Sequence, residues 1–78
     1  MALVTAFEEA DFQPKTHPTT VICKWSVLKH DGQAQLLQLD TRGSNHRENP
    51  NKLSQTLQFS RETAKELFEI LKSEFQFE

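Results

Sequence analysis

Residues 60–75 read SRETAKELFEILKSEF, and this stretch decides the fold because its start, its middle and its apolar face are all legible. Ser60 is a good N-cap, since its hydroxyl accepts from amides of the first turn that have no partner within the helix. Glu62 sits where the helix dipole is positive. Phe59 and Ala64 are spaced as a hydrophobic staple. Ala64, Leu67, Phe68, Leu71 and Phe75 then recur at the i, i+3, i+4, i+7 spacing of one helical face. Arg61, Glu62, Lys65, Glu66, Glu69 and Lys72 take the other positions. Such a stripe has to lie on a surface supplied by the chain before it.

The stretch that leads into the helix, Leu53 to Phe59 (LSQTLQF), alternates as a strand. Leu53, Leu57 and Phe59 point one way and Ser54, Thr56 and Gln58 the other. Upstream, Thr20 to Lys29 (TVICKWSVLK) is rich in β-branched and aromatic residues, with Val21, Cys23, Trp25 and Val27 on one face. A third strand, QAQLLQLD from Gln33, has Leu37 and Leu39 on one face. Between these two lies His30-Asp31-Gly32. Read as a three-residue loop with Gly32 at its positive-φ position, it pairs Lys29 with Gln33. That register sets Trp25 opposite Leu37, Cys23 opposite Leu39, Lys24 beside Gln38 and Ser26 beside Leu36.

The resulting expectation is an α+β fold, an antiparallel sheet of three or four strands packed against one C-terminal helix. Its expected buried set is Val21, Cys23, Trp25, Val27, Leu37, Leu39, Leu53, Leu57, Phe59, Leu67, Phe68 and Leu71. Residues 1–19 are expected to be an N-terminal arm, with 20–78 a single β-β-β-α domain. Pro14 and Pro18 break regular structure in the arm, while Phe7 and Phe12 need something to pack on. A short extra strand fits there too. Phe77 is expected either to fold back or to fray.

With 78 residues, 36% hydrophobic and 26% charged, the chain sits in the range of small globular domains. A chain this short buries only about 60% of the surface its unfolded form exposes. A homodimer would relieve that shortage, with Ile70 and Phe75 beside the stripe for a second copy to cover. No run approaches the length of a membrane-spanning helix, and MALVTAF lacks the basic start and apolar length of a signal peptide, so a cytoplasmic, membrane-free protein is expected. Cys23 is the one cysteine, so no intramolecular disulfide forms; no zinc-site spacing is present, and no metal or cofactor is expected.

The net charge of −2 is unevenly spread. In residues 20–59, Lys24, Lys29, Arg42, Arg47 and Lys52 outnumber Asp31, Asp40 and Glu48, whereas both ends are acidic. Thr41 to Lys52 (TRGSNHRENPNK) has no apolar residue and reads as a long connection, the kind of loop that often contacts a ligand. It offers Arg42, His46, Arg47 and Lys52. Solvated loop charge is the plain alternative.

From Leu37 to Phe75 the chain resembles the small transcriptional coactivators that bind single-stranded DNA as dimers. The likeness lies in an apolar strand ending in Asp40-Thr41-Arg42, a loop with Pro50 and Lys52, and an alternating strand running through Ser60-Arg61-Glu62 into a C-terminal helix. It covers about half the chain. The resemblance implies a sheet platform for single-stranded nucleic acid, helices at a dimer contact, and phosphate contacts from Lys24, Arg42, Arg47 and Lys52. Gln55-Thr56 stands where family members tend to carry a lysine-glycine pair, and the register turns Trp25 away from the open face.

Three function classes compete. A non-enzymatic nucleic-acid-binding module, for DNA or RNA, would use the open sheet face and the 41–52 loop: Lys24, Gln38, Arg42, Arg47, Lys52, Ser54 and Thr56, with Gln58 adding a hydrogen bond. A protein-interaction or regulatory module would use a sheet face, a strand edge or the helix. An enzyme is the weakest reading. There is no Gly-rich phosphate loop and no nucleophile beside a base, and Glu8-Glu9 has nothing to position it, so no catalytic residue is expected. Cys23 lacks an activating base and reads as structural.

Overall fold

The computed structural model describes residues 1–42 and 53–77 and, within these, the backbone but not the side chains of Leu53 and Ser54. Four strands are followed by one helix: β1 (Ala2–Val4), β2 (Cys23–His30), β3 (Gln33–Arg42), β4 (Leu53–Ser60) and α1 (Arg61–Phe75). They form one sheet in the order β1-β4-β3-β2 with α1 packed against β3 and β4, the expected α+β arrangement. The fourth strand comes from the start of the chain. Ala2, Leu3 and Val4 pair parallel with Leu57, Gln58 and Phe59, so the sheet is mixed, and β1 and β2 are its edges.

The helix begins where the sequence predicts. Ser60 is the N-cap, with extended φ and ψ, and its Oγ accepts from the Thr63 amide at 3.3 Å. The Thr63 hydroxyl in turn donates to the Ser60 carbonyl at 3.4 Å. At the other end Gln76 takes a left-handed cap, and Phe77 turns back to stack on Phe75 with centroids 5.6 Å apart.

The hairpin register differs from the sequence reading. His30 pairs with Gln33 and Lys29 with Ala34, so the loop is the two-residue Asp31-Gly32 rather than three residues. Both loop residues have positive φ, 52° and 79°, which is the requirement of a type I′ turn whose twist matches that of the strands. By itself, that change slips the register by one residue and turns Trp25 toward the wrong face. A bulge restores it. Leu28 pairs with Leu36 while Lys29 pairs with Ala34, leaving Gln35 as the extra residue. The net shift is two residues. Trp25 lies opposite Leu39 and Val27 opposite Leu37, so the apolar sets still share a face, each partner two residues further along than expected.

The core is far smaller than the expected buried set. Among the described residues Phe59 is the one buried apolar side chain, 4% exposed, with Thr56 and Thr63 the buried polar ones. Val27, Leu37, Leu39 and Leu67 are half-buried. Val21, Cys23, Trp25, Leu57, Phe68 and Leu71 are exposed, which corrects the expectation for those six. Leu53 lies in β4, but its side chain is outside the described residues. The cause is coverage: one 15-residue helix lies over two of four strands, and its turn toward the sheet carries Thr63, with Ala64 and Leu67 half-buried beside it. Phe68, Leu71 and Phe75 are left on its flank. Part of the missing cover comes from the arm, where Phe7 stacks on Phe59 with centroids 6.0 Å apart and nearly parallel planes. Phe12 is exposed.

Two stability outcomes follow from this architecture. Phe59→Ala should cost about 3–5 kcal/mol in urea unfolding, the range for a buried phenylalanine. Gly32→Ala should cost about 1 kcal/mol, because a Cβ there meets nothing within 4 Å and the penalty is that of a positive φ alone. A neutral Gly32→Ala would contradict the turn geometry.

Candidate nucleic-acid interface

Successive strand residues alternate between faces, so the register decides which polar groups meet on the side away from the helix. Two rows cross the three antiparallel strands there. Ser26, Gln38 and Gln58 form one, and Lys24, Asp40 and Thr56 the other. The sequence reading set Lys24 beside Gln38 and Ser26 beside Leu36. The bulge and the two-residue turn move each partner along by two.

Hydrogen bonds fix most of these side chains. Gln58 Nε2 donates to Gln38 Oε1 at 2.8 Å. Gln38 Nε2 donates to both oxygens of Asp40, at 3.2 Å to Oδ1 and 3.0 Å to Oδ2. Thr56 Oγ1 donates to Asp40 Oδ1 at 2.7 Å. The result is a chain of donors running from β4 across β3 and ending on one carboxylate. The Thr56 hydroxyl, the Gln38 amide and the nearby positive charge of Arg42 hold the Asp40 carboxyl below its ordinary value, and the partial burial opposes them.

Of the seven expected binding residues, Lys24, Gln38 and Thr56 come together on this face. Arg42 is the last residue of β3, where the pairing with β4 is irregular, Thr41 lying opposite Gln55 and Arg42 opposite Leu53, and its positive charge acts on Asp40. Ser54 lies in β4, its side chain outside the described residues, and Arg47 and Lys52 are also outside them. Thr56, 6% exposed, turns its hydroxyl to Asp40, so it orients the carboxylate and is not presented to a ligand. Asp40 itself was absent from the sequence-based site. The signal for it is alternation: Gln38, Asp40 and Arg42 are every second residue of one strand. Lys24 makes no ion pair with Asp40 among the described residues, although the two are cross-strand neighbours. No aromatic ring stands in either row, since Trp25 is on the opposite face.

No protein-family model, curated protein or solved structure matches the chain. No helix among the described residues is long and apolar enough to cross a membrane.

The Asp40 geometry sets a pH dependence. A carboxyl whose folded pKa lies below its unfolded value of about 3.9 adds stability that is complete above that unfolded value and is lost as pH falls through the folded one. Thr56→Val removes the hydroxyl whose hydrogen bond does most to lower it. The Asp40 carboxyl, followed by NMR from pH 7 to pH 2, should therefore titrate at higher pH in Thr56→Val than in the parent. Identical titrations would mean that the Thr56 bond is not made in solution.

Proposed function

We propose that this chain is a non-enzymatic, cytoplasmic module that binds single-stranded nucleic acid on the open face of β2, β3 and β4 and acts as a homodimer. The observation that carries the binding half is the pair of polar rows. Side chains already fixed by their own hydrogen bonds lose little freedom on contact with a ligand, and preorganisation of this kind favours binding. Lys24, in the second row, and Arg42, at the end of β3, add positive charge. Arg47 and Lys52 come from the connecting segment and add to the same basic middle of the chain. Phosphates contacted by these cations would position a strand, and the amides of the rows would meet its bases. The resemblance to single-stranded-DNA-binding coactivators supports the same reading.

A specific observation favours the second copy. Trp25, Phe68 and Phe75 are 71%, 51% and 65% exposed. At roughly 150–250 Å² per aromatic side chain, these three leave about 300–450 Å² of ring surface in water. Leu57, Ile70 and Leu71 are exposed as well. A cleft of about 180 Å³ between α1 and the sheet is lined by Val27, Leu37, Phe59 and Ala64, among others, on the same side as Trp25. One buried apolar side chain among the described residues is little for a domain of this length, and another copy of the chain is a partner always present in equal amount. A docked protein other than itself, the interaction-module alternative, would use this same face.

Binding through all four cations should weaken about 50-fold between 50 and 200 mM salt, from the slope of about 0.7 per phosphate for single strands. Lys24→Ala should weaken binding and flatten that slope, and an affinity indifferent to salt would sink the phosphate contacts. Sedimentation at micromolar concentration should give twice the 9.0 kDa of one chain, and Phe68→Ala should shift it toward the monomer. The single tryptophan separates the two faces: Trp25 emission should move to the red on dilution and stay nearly unchanged when an oligonucleotide is added. A parent protein that sediments as a monomer would remove the dimer.

A further inference from the structure

A binding face for a polyanion does not need a carboxylate at its centre, yet Asp40 stands in the middle strand with Lys24 on one side and Thr56 on the other. On the nucleic-acid reading, repulsion would keep phosphates away from that point and toward the cations, so a base would lie over Asp40. An ionised carboxylate only accepts hydrogen bonds. Here its oxygens are unequal. Oδ1 takes Thr56 at 2.7 Å and Gln38 at 3.2 Å, whereas Oδ2 takes Gln38 alone at 3.0 Å. Oδ2 therefore keeps a lone pair on a half-buried side chain that two protein donors hold in place.

We propose that Asp40 is a specificity-determining residue of this face, its Oδ2 accepting a hydrogen bond from the exocyclic amino group of cytosine and so selecting amino-bearing bases over thymine or uracil. This rests on the nucleic-acid reading above. The pairing of a carboxylate with the cytosine amino group is a standard base contact. Thymine and uracil present carbonyl oxygens at the corresponding position, and these face the carboxylate as acceptor against acceptor. Their ring N–H is flanked by two such oxygens, so turning it toward Asp40 brings the same repulsion. Because the Asp40 carboxyl is held below its ordinary value, the acceptor is charged from pH 5 upward, and the preference should not change between pH 5 and pH 8.

The test is binding of 12-nucleotide oligo(dC) and oligo(dT) to the intact chain at low salt, with Asp40→Asn and Thr56→Val alongside. The parent should bind oligo(dC) about tenfold more tightly than oligo(dT), the scale of one good base contact. Asp40→Asn has nearly the same shape but both donates and accepts, so the ratio should fall to about twofold or less, even though loss of the negative charge strengthens binding of both. Thr56→Val, which keeps the carboxylate but removes one bond that fixes it, should give an intermediate ratio. Equal binding of the two oligonucleotides by the parent overturns the role of Asp40 and leaves the nucleic-acid reading in place. A parent ratio that survives in Asp40→Asn overturns it as well. Binding of neither oligonucleotide by the parent overturns both.

Discussion

The β2–β3 hairpin must satisfy a parity condition on which the faces of the whole sheet depend. Side chains alternate with a period of two, so any odd displacement between these strands turns Trp25 and Val27 away from Leu37 and Leu39. The Asp31-Gly32 turn fits the strand twist through its positive φ values but introduces such an odd displacement relative to a three-residue loop. The bulge at Leu28/Lys29, with Gln35 as the extra residue, introduces another. Two odd steps make an even one. The apolar side stays apolar, and Gln38, Asp40, Thr56 and Gln58 are gathered on the other.

The apolar side is then limited by area. With α1 lying over β3 and β4, β2 is left as an edge whose Trp25 has no cover, and the helix flank bearing Phe68, Leu71 and Phe75 is similarly bare. The arm supplies one aromatic, Phe7, and the start of the chain supplies a parallel edge strand. Phe59 is buried because it lies where the arm, β4 and the start of α1 converge. Elsewhere on this face the apolar residues are half-buried at most among the described residues, so the hydrophobic free energy available to a lone chain is small.

The opposite side is governed by hydrogen bonding. A carboxylate in mid-sheet is costly unless it is paired or supplied with donors, and Asp40 receives three contacts from Gln38 and Thr56. The Thr56 bond to Asp40 and the Gln58 bond to Gln38 tie β3 to β4 through side chains as well as backbone. They also give the face a definite sense: Gln58 donates to Gln38, Gln38 donates to Asp40, and acceptor capacity accumulates at one end, beside the cations Lys24 and Arg42. Two surfaces of one small sheet are thus left with opposite needs. One lacks cover against water, and the other holds fixed polar groups within it.

Local chemistry was legible in the residue order. The Ser60 cap, the span of α1, the alternation in LSQTLQF and the faces of Trp25, Val27, Leu37 and Leu39 all follow from spacings within a few residues, where the 3.6 and 2.0 periods act directly. The loop length is not legible because Gly32 satisfies a positive φ in either a two- or a three-residue loop, and Asp31 tolerates one too. Gln35 carries no mark of a bulge, since the extra residue is fixed by pairing across the sheet. Asp40 does not stand out in the residue order because its meaning depends on Thr56, sixteen positions away. The sequence by itself determined the elements and the two faces of each, because those depend on neighbours along the chain. Only the tertiary structure decided the register, the burial of Phe59 over Phe68 and the meeting of Gln38, Asp40 and Thr56, because these depend on which strands lie side by side and how far one helix reaches across them.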